Sequence, residues 1–311
     1  MKNDLIPLVT VVIATFNSSR SLKLTLESVL TQDFADYEVW VVGDACTDNS
    51  QDIVHSFGDE RLQWTNLSHN SGSQGAPNNE GIRRARGEYI AYLGHDDLWF
   101  PWHLSSLISF IQKTNADLVH SLSAMFSPRG LEYTVGPPSI GRTYENHFVF
   151  PSSWLHHRRV IEDCGGWGDH LKLPRGVDMD FQRRVHLAGK NILFCPRLSL
   201  LKFPSALWRT YALDSRPPQS GYIDLMKSDP VDLQHQILME AATLLARQSN
   251  QRIPVRQALR ELLRSLCYKI MESYGYDHWP LAQLGLWRIQ RKRRRLRNSR
   301  GLLPYQPHLH D

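Results

Sequence analysis

Long apolar, β-branched runs alternate with amphipathic stretches over the first 120 residues, and this alternation does most to limit the fold. Val9-Thr-Val-Val-Ile-Ala14 and Tyr37 to Val42 are almost continuously apolar. A strand with one face in water would alternate, so these runs fit strands buried on both faces, as in a parallel sheet covered by its crossovers. Between them Leu22, Leu26, Val29 and Leu30 recur at helical spacing, with Ser18, Ser19 or Ser21 as N-cap. A second helix holds Ile53, Val54 and Phe57 and starts at Thr47 or Asp48. A short strand over 61–66, a helix from Pro77 to Ala85 and a strand from Glu88 to Leu93 come next. Pro101 suits the first turn of the next helix. The order predicts an α/β fold with a sheet wound by right-handed crossovers.

In such sheets ligands bind outside the carboxyl ends of the strands. Thr15 and Asn17 come after the first strand, Asp44 after the second, and Asp96 and Asp97 after the fourth, within Gly94-His-Asp-Asp-Leu-Trp-Phe-Pro101. Two adjacent carboxylates repel each other, and either solvating water or a divalent cation at that point would relieve the repulsion. Mg²⁺ and Mn²⁺ favour oxygen ligands and accept one or two carboxylates plus substrate phosphates.

Residues 122–210 read as mixed, with the loop Cys164-Gly-Gly-Trp167 and a helix from Met179 to Leu187. Ser215-Arg-Pro-Pro-Gln-Ser220 reads as a linker, which divides the chain into 1–215 and a helical extension over 216–311. The net charge of +5 is uneven, because eight of the thirteen residues from Arg288 to Arg300 are Arg or Lys. Such a run reads as a solvated helix or, because Trp287, Ile289 and Leu296 interleave with those charges, as a segment suited to an anionic membrane surface. The basic tail sits on a near-neutral body, so composition gives little support to nucleic-acid binding. No apolar run reaches the roughly 18–20 residues that span a bilayer. Cys46, Cys164, Cys195 and Cys267 lack metal-type spacing and read as reduced thiols of a cytoplasmic chain.

Four segments, in order, resemble the family 2 glycosyltransferases with their GT-A fold, over roughly residues 7 to 205. These are VTVVIATFN, YEVWVVGDACTDNS, NNEGIRRARGEYIAYLGHDDLWFPWHL, and HHRRVIEDCGGWGDHLKLPRGVDMDFQRRVHLAGKNILFCP. The resemblance implies a GT-A type, mostly parallel mixed sheet flanked by helices. It places Thr15, Asn17, Asp44 and Asn79 at the nucleotide, with Asp44 accepting from the base N–H, which favours a UDP-sugar. It makes Asp96 and Asp97 the ligands of Mn²⁺ or Mg²⁺, with Asp96 also at the ribose, and Asp178 the general base, with Asp180 its rival. The chain departs from the pattern at Gly43 and Gly94, where carboxylates are usual. It departs again at Asn78, where a basic residue is common, and at Val177, where Glu is usual. The processive signature Gln-x-x-Arg-Trp is absent.

The implied function is inverting, non-processive, metal-dependent transfer from a nucleotide-sugar to an acceptor hydroxyl. Its setting would be cell-surface polysaccharide or glycolipid synthesis on the cytoplasmic membrane face, with a glycan or lipid-linked acceptor. The alternative is a degenerate transferase that binds a nucleotide or glycan without catalysis. A sugar nucleotidyltransferase or a dinucleotide oxidoreductase would need a glycine-rich loop after the first strand, and Ala14-Thr-Phe-Asn-Ser-Ser19 has none.

Overall fold

The computed structural model describes residues 6–173, 175–208 and 217–249. The expected alternation is present. Strands β1 (Val9–Thr15), β2 (Tyr37–Gly43), β3 (Leu62–Asn66) and β4 (Tyr89–Gly94) are linked by helices α1 (Ser19–Leu30), α2 (Ser50–Ser56) and α3 (Gly75–Arg84). β1 pairs in parallel with both β2 and β4, and β2 in parallel with β3. Val9, Val11, Val12 and Ile13 are wholly buried, so the first strand is central and covered on both faces, as its composition required.

The second half departs from simple winding. β5 (Leu98–Trp99) leads to α4 (His103–Thr114), so Pro101 lies just before the helix rather than in its first turn. β6 (Leu118–Ser127) and β7 (Gly130–Val135) form a hairpin. A 3-10 turn (Pro151–Ser153), β8 (Trp154–His157), α5 (Arg159–Cys164), α6 (Val177–Leu187) and β9 (Ile192–Lys202) complete this part. Among the described residues the nine strands form one sheet in the order β3-β2-β1-β4-β8-β6-β9-β5, with β7 on β6. β8 runs antiparallel to both β4 and β6, which makes the sheet mixed.

Helices α7 (Ser205–Trp208), α8 (Gln219–Ser228) and α9 (Pro230–Ser249) come after the sheet. One compact unit runs as far as Ala242 and a second begins at Thr243. The boundary expected near residue 215 therefore falls inside the first unit. The reason is that Gln219, Ile223, Met226, Leu233 and Ile237 are buried in it. The Arg288–Arg300 segment, Trp287 and Cys267 lie outside the described residues. Cys46, Cys164 and Cys195 are free thiols.

Three histidines are sealed in the sheet unit. His103 Nδ1 lies 2.7 Å from Ser199 Oγ, His120 Nε2 2.8 Å from Tyr144 Oη, and His156 Nε2 3.1 Å from Tyr92 Oη. Burial pushes their pKa values down, to about 3 for His103 and about 4 for His120 and His156. An exposed histidine titrates near about 6.5. Below that value the unfolded chain takes up protons that the fold refuses, so stability falls as pH drops. The slope is about 1.4 kcal/mol per histidine per pH unit. Urea unfolding between about pH 7 and about pH 5 should show this loss, with a shallower slope for His156→Gln. An unchanged slope in that variant would mean that the ring takes up a proton in the folded state.

Candidate functional site

The ends of β1 and β2 are tied to each other by polar side chains. Asp44 N–H donates to Thr15 O at 2.8 Å. Asn17 Oδ1 accepts from Thr47 N at 2.8 Å and from Asp48 N at 3.3 Å. Asp48 caps two helices, accepting Ser19 N–H at 2.9 Å and Ser50 N–H at 3.2 Å. The cap of α1 thus comes from the neighbouring loop, while Ser18 Oγ turns back to Phe16 O. Asn17 and Ala45 hold positive φ angles, 41° and 60°. For Ala45 this left-handed geometry costs about 1–2 kcal/mol.

Asp44 is buried, and its carboxylate accepts Ser71 N–H at 2.7 Å and Gly72 N–H at 3.2 Å. It holds the 70–72 loop against the β2 end, and only its remaining lone pairs could serve a base. Thr15 is also enclosed, with no hydrogen-bond partner for Oγ1 among the described residues. At Gly43 the missing side chain has a substitute. The Asn66 amide fills the space a Cβ would need and pairs with Cys46, Oδ1 to N and Nδ2 to O, both at 2.9 Å. Asn79, expected at the nucleotide, belongs elsewhere. Its Oδ1 accepts Trp167 N–H and its Nδ2 donates to Trp167 O, both at 2.8 Å, so its amide is spent on the Gly166–Trp167 loop.

The two aspartates after β4 differ sharply. Asp97 is wholly buried. Its Oδ2 accepts Ser152 Oγ at 2.5 Å and Lys202 Nζ at 2.8 Å, and its Oδ1 accepts Phe203 N–H at 3.2 Å. Burial pushes its pKa up, against the pull of Lys202. With every oxygen engaged inside the protein, Asp97 is a support rather than the outward metal ligand expected from the sequence. Asp96 Oδ2 accepts Ser205 N–H at 2.8 Å and the Ser205 hydroxyl. Its Oδ1 lies 3.7 Å from Lys202 Nζ. Burial opposes its ionisation, but Lys202, His95 and Ser205 outweigh that and hold its pKa below the usual range. A Cβ at Gly94 would lie 2.7 Å from Asp97 Oδ2 and 3.0 Å from Asp96 Oδ1, so the pair fills the place of the missing side chain. His95 Nδ1 donates to Ala14 O at 3.2 Å, linking this loop to β1.

Among the described residues no three His, Cys, Asp or Glu side chains converge as a metal cage. The donor set fits a divalent cation at one point, Asp96 Oδ1, with substrate oxygens completing the shell.

Asp178 lies in the first turn of α6 and Oδ1 accepts Met179 N–H at 2.8 Å. The helix start should favour its ionised form. Burial outweighs this, and the pKa rises even though the backbone N–H groups and Lys202 pull it down. Asp180 is committed to Arg184, Oδ2 to Nε at 2.9 Å, and Arg184 also holds Gly166 O at 2.7 Å. Lys202 therefore sits within electrostatic reach of three carboxylates, those of Asp96, Asp97 and Asp178. Sequence reasoning missed Lys202, Ser152 and Ser205. The one available signal was a lysine ending the apolar run Leu198-Ser-Leu-Leu-Lys202.

The model of the family described as Glycosyl transferase family 2 matches residues 10–161, which hold the β1 loop, the β2 loop and the aspartate pair. Residues 10–161 are a family 2 glycosyltransferase domain. The chain is 30% identical over 158 residues to the Escherichia coli UDP-Glc:alpha-D-GlcNAc-diphosphoundecaprenol beta-1,3-glucosyltransferase WfgD, covering 51% of this chain and 56% of that protein. It thus spans about half the length of that relative. The fold is similar to that of S. aureus TarS 1–349 in complex with UDP-GlcNAc, at TM-score 0.54 and 20% identity, covering 70% of each chain. It also matches the mannosyltransferase PcManGT of Pyrobaculum calidifontis in complex with GDP-Man and Mn²⁺, at TM-score 0.52 and 17% identity, covering 95% and 88%. The mixed sheet is therefore of the GT-A type.

Replacing Asn79 with Ala in this transferase domain removes both bonds to Trp167 and leaves buried backbone groups unpaired. Urea unfolding should show a loss of about 1–3 kcal/mol. Calorimetry with UDP and Mn²⁺ should show unchanged nucleotide affinity. A large drop in affinity without a change in stability would return Asn79 to the nucleotide site.

Proposed function

We propose that this chain transfers a sugar from a nucleotide-diphosphate donor to an acceptor hydroxyl, with inversion and one sugar at a time. The observation that carries this reading is the position of Asp178. It is a half-buried carboxylate with a raised pKa, and it shares the field of Lys202 with the aspartate pair. On this reading the pair would face the leaving diphosphate, and Asp178 would serve the acceptor hydroxyl. Asp180, its rival, is held by Arg184. A raised pKa gives Asp178 more basicity than a free aspartate. It can then take the hydroxyl proton as the oxygen attacks the sugar carbon.

Asp96 would hold Mn²⁺ or Mg²⁺ through Oδ1, and such an ion neutralises charge on a departing diphosphate. Asn17, Asp44 and Asp48 keep the β1 and β2 loops in place beside the nucleotide. UDP-sugars are the favoured donors, since UDP-GlcNAc binds the TarS relative by fold and UDP-Glc is the donor in the WfgD name. That name also supports a diphosphate-lipid acceptor, and hence work at a membrane surface in cell-surface glycan synthesis. No helix among the described residues is long and apolar enough to cross a bilayer.

Donor hydrolysis and transfer across UDP- and GDP-sugars, with Mn²⁺ and with chelator, tests this reading. Asp178→Asn should keep cation-dependent donor binding and lose at least about a hundredfold in turnover. Asp180→Asn should lose much less. The acid limb of the wild-type kcat profile should lie above the ordinary aspartate value of about 3.9, because the raised pKa keeps the base protonated to higher pH. Normal turnover of Asp178→Asn with an identified acceptor would reject the assignment. Binding of nucleotide with no transfer to any acceptor would favour a non-catalytic module.

A further inference from the structure

We propose that Lys202 is a tethered rival of the divalent cation at Asp96, which makes metal and donor diphosphate bind cooperatively. The inference rests on the reading of Asp96 as the cation ligand. Asp96 Oδ2 is taken by Ser205, so Oδ1 is the oxygen left for a metal. That oxygen faces the Lys202 ammonium at 3.7 Å, while the same ammonium is anchored to Asp97 Oδ2 at 2.8 Å. A metal bound to Asp96 Oδ1 would meet the positive charge of Lys202 at close range, in surroundings where Asp97 is fully shielded from water.

The charge balance points the same way. Gly94 supplies no carboxylate, so the two aspartates and the lysine leave a single net negative charge for an incoming dication. Such a site attracts a free metal ion weakly. A diphosphate changes the balance, because it brings negative oxygens that both the metal and the ammonium can use. Lys202 has room to respond. Its side chain is 19% exposed, against none for Asp97, and only one of its contacts is a short ion pair. With the donor present, Lys202 turns part of its charge to the phosphates and Asp96 Oδ1 accepts the metal. Without the donor, the lysine keeps the two carboxylates apart from solvent cations and stops them from repelling each other. Each ligand thus improves the site for the other by relieving the same repulsion, and the coupling must be reciprocal.

Electron paramagnetic resonance reads free and bound Mn²⁺ directly, without turnover. In the wild-type chain, Mn²⁺ alone should bind weakly, and saturating UDP should tighten it by at least about tenfold. Lys202→Met should bind Mn²⁺ alone at least about tenfold more tightly than wild type, with the effect of UDP reduced. Lys202→Arg, which keeps the charge, should behave like wild type. Because Lys202→Met leaves Asp97 without its counter-charge, the double variant Lys202→Met with Asp97→Asn provides a neutral pair; it removes the ammonium without changing the net charge and should still bind Mn²⁺ alone more tightly than wild type, though less tightly than Lys202→Met. If Mn²⁺ binds with UDP but the methionine variants bind the free ion no better than wild type, Lys202 is not a rival and the proposal fails alone. If wild-type chain binds no Mn²⁺ even with UDP or GDP, both the proposal and the metal reading of Asp96 fail. Equal affinity of wild type for Mn²⁺ with and without UDP overturns the coupling, whatever the variants do.

Discussion

The buried ion pair between Lys202 and Asp97 ties the loop after β4 to the end of β9. Asp97 comes just after β4, Lys202 ends β9, and Ser152 belongs to the turn before β8, so one carboxylate draws three chain segments to a point. The Asp97 carbonyl also accepts Thr25 Oγ1 at 2.9 Å, which adds α1. The Asp96 carbonyl accepts Gln219 Nε2 at 2.7 Å, which adds α8. Taking two charges out of water is costly, and breaking such a pair by removing one partner typically costs about 3–5 kcal/mol. The pair survives because Asp97 gains a hydroxyl and a backbone N–H besides the ammonium. The sheet thereby holds Asp96 in place.

Polar residues elsewhere in the site serve the same end. Asn17, Asp44, Asp48, Asn66 and Asn79 each spend side-chain atoms on backbone groups of a neighbouring loop. Loops at the carboxyl end of a parallel sheet have no ladder of their own, so their backbone groups need such partners. A loop fixed in this way presents its surface to a ligand without a large ordering cost on binding. The α6 side is held by packing instead. Trp167 stacks on Phe181 with ring centroids 5.4 Å apart, and Trp154 stacks on Phe181 at 5.9 Å, beneath the helix that carries Asp178. Core packing, rather than sugar stacking, accounts for both tryptophans, which are buried.

Asp178 shows two opposed effects on one carboxylate. Its place at a helix start lowers its proton affinity, and its enclosure raises it. Enclosure wins, which would suit the base role proposed above. At Val177, where the family pattern has a second carboxylate, this chain has an apolar side chain that is itself buried.

The amino-acid sequence by itself determined the first half of the sheet, because Val9–Ala14 and Tyr37–Val42 are too apolar for any strand not covered on both faces. It also determined which strand ends carry carboxylates, since the residue after a strand is set by order along the chain alone. Tertiary structure decided what those carboxylates do. Asp96 and Asp97 are neighbours with identical chemistry, yet one keeps an oxygen facing Lys202 and the other is sealed, and the difference comes from Ser152, Lys202, Phe203 and Ser205. Those partners lie between 55 and 109 residues away in sequence, so no local pattern ties them to the aspartates. Asn79 is the same case, being paired with a backbone 88 residues distant. Hydrophobic periodicity is a property of adjacent residues and can be read along the chain. The partner of a buried charge is chosen by strand order and loop closure, which exist only once the chain has folded.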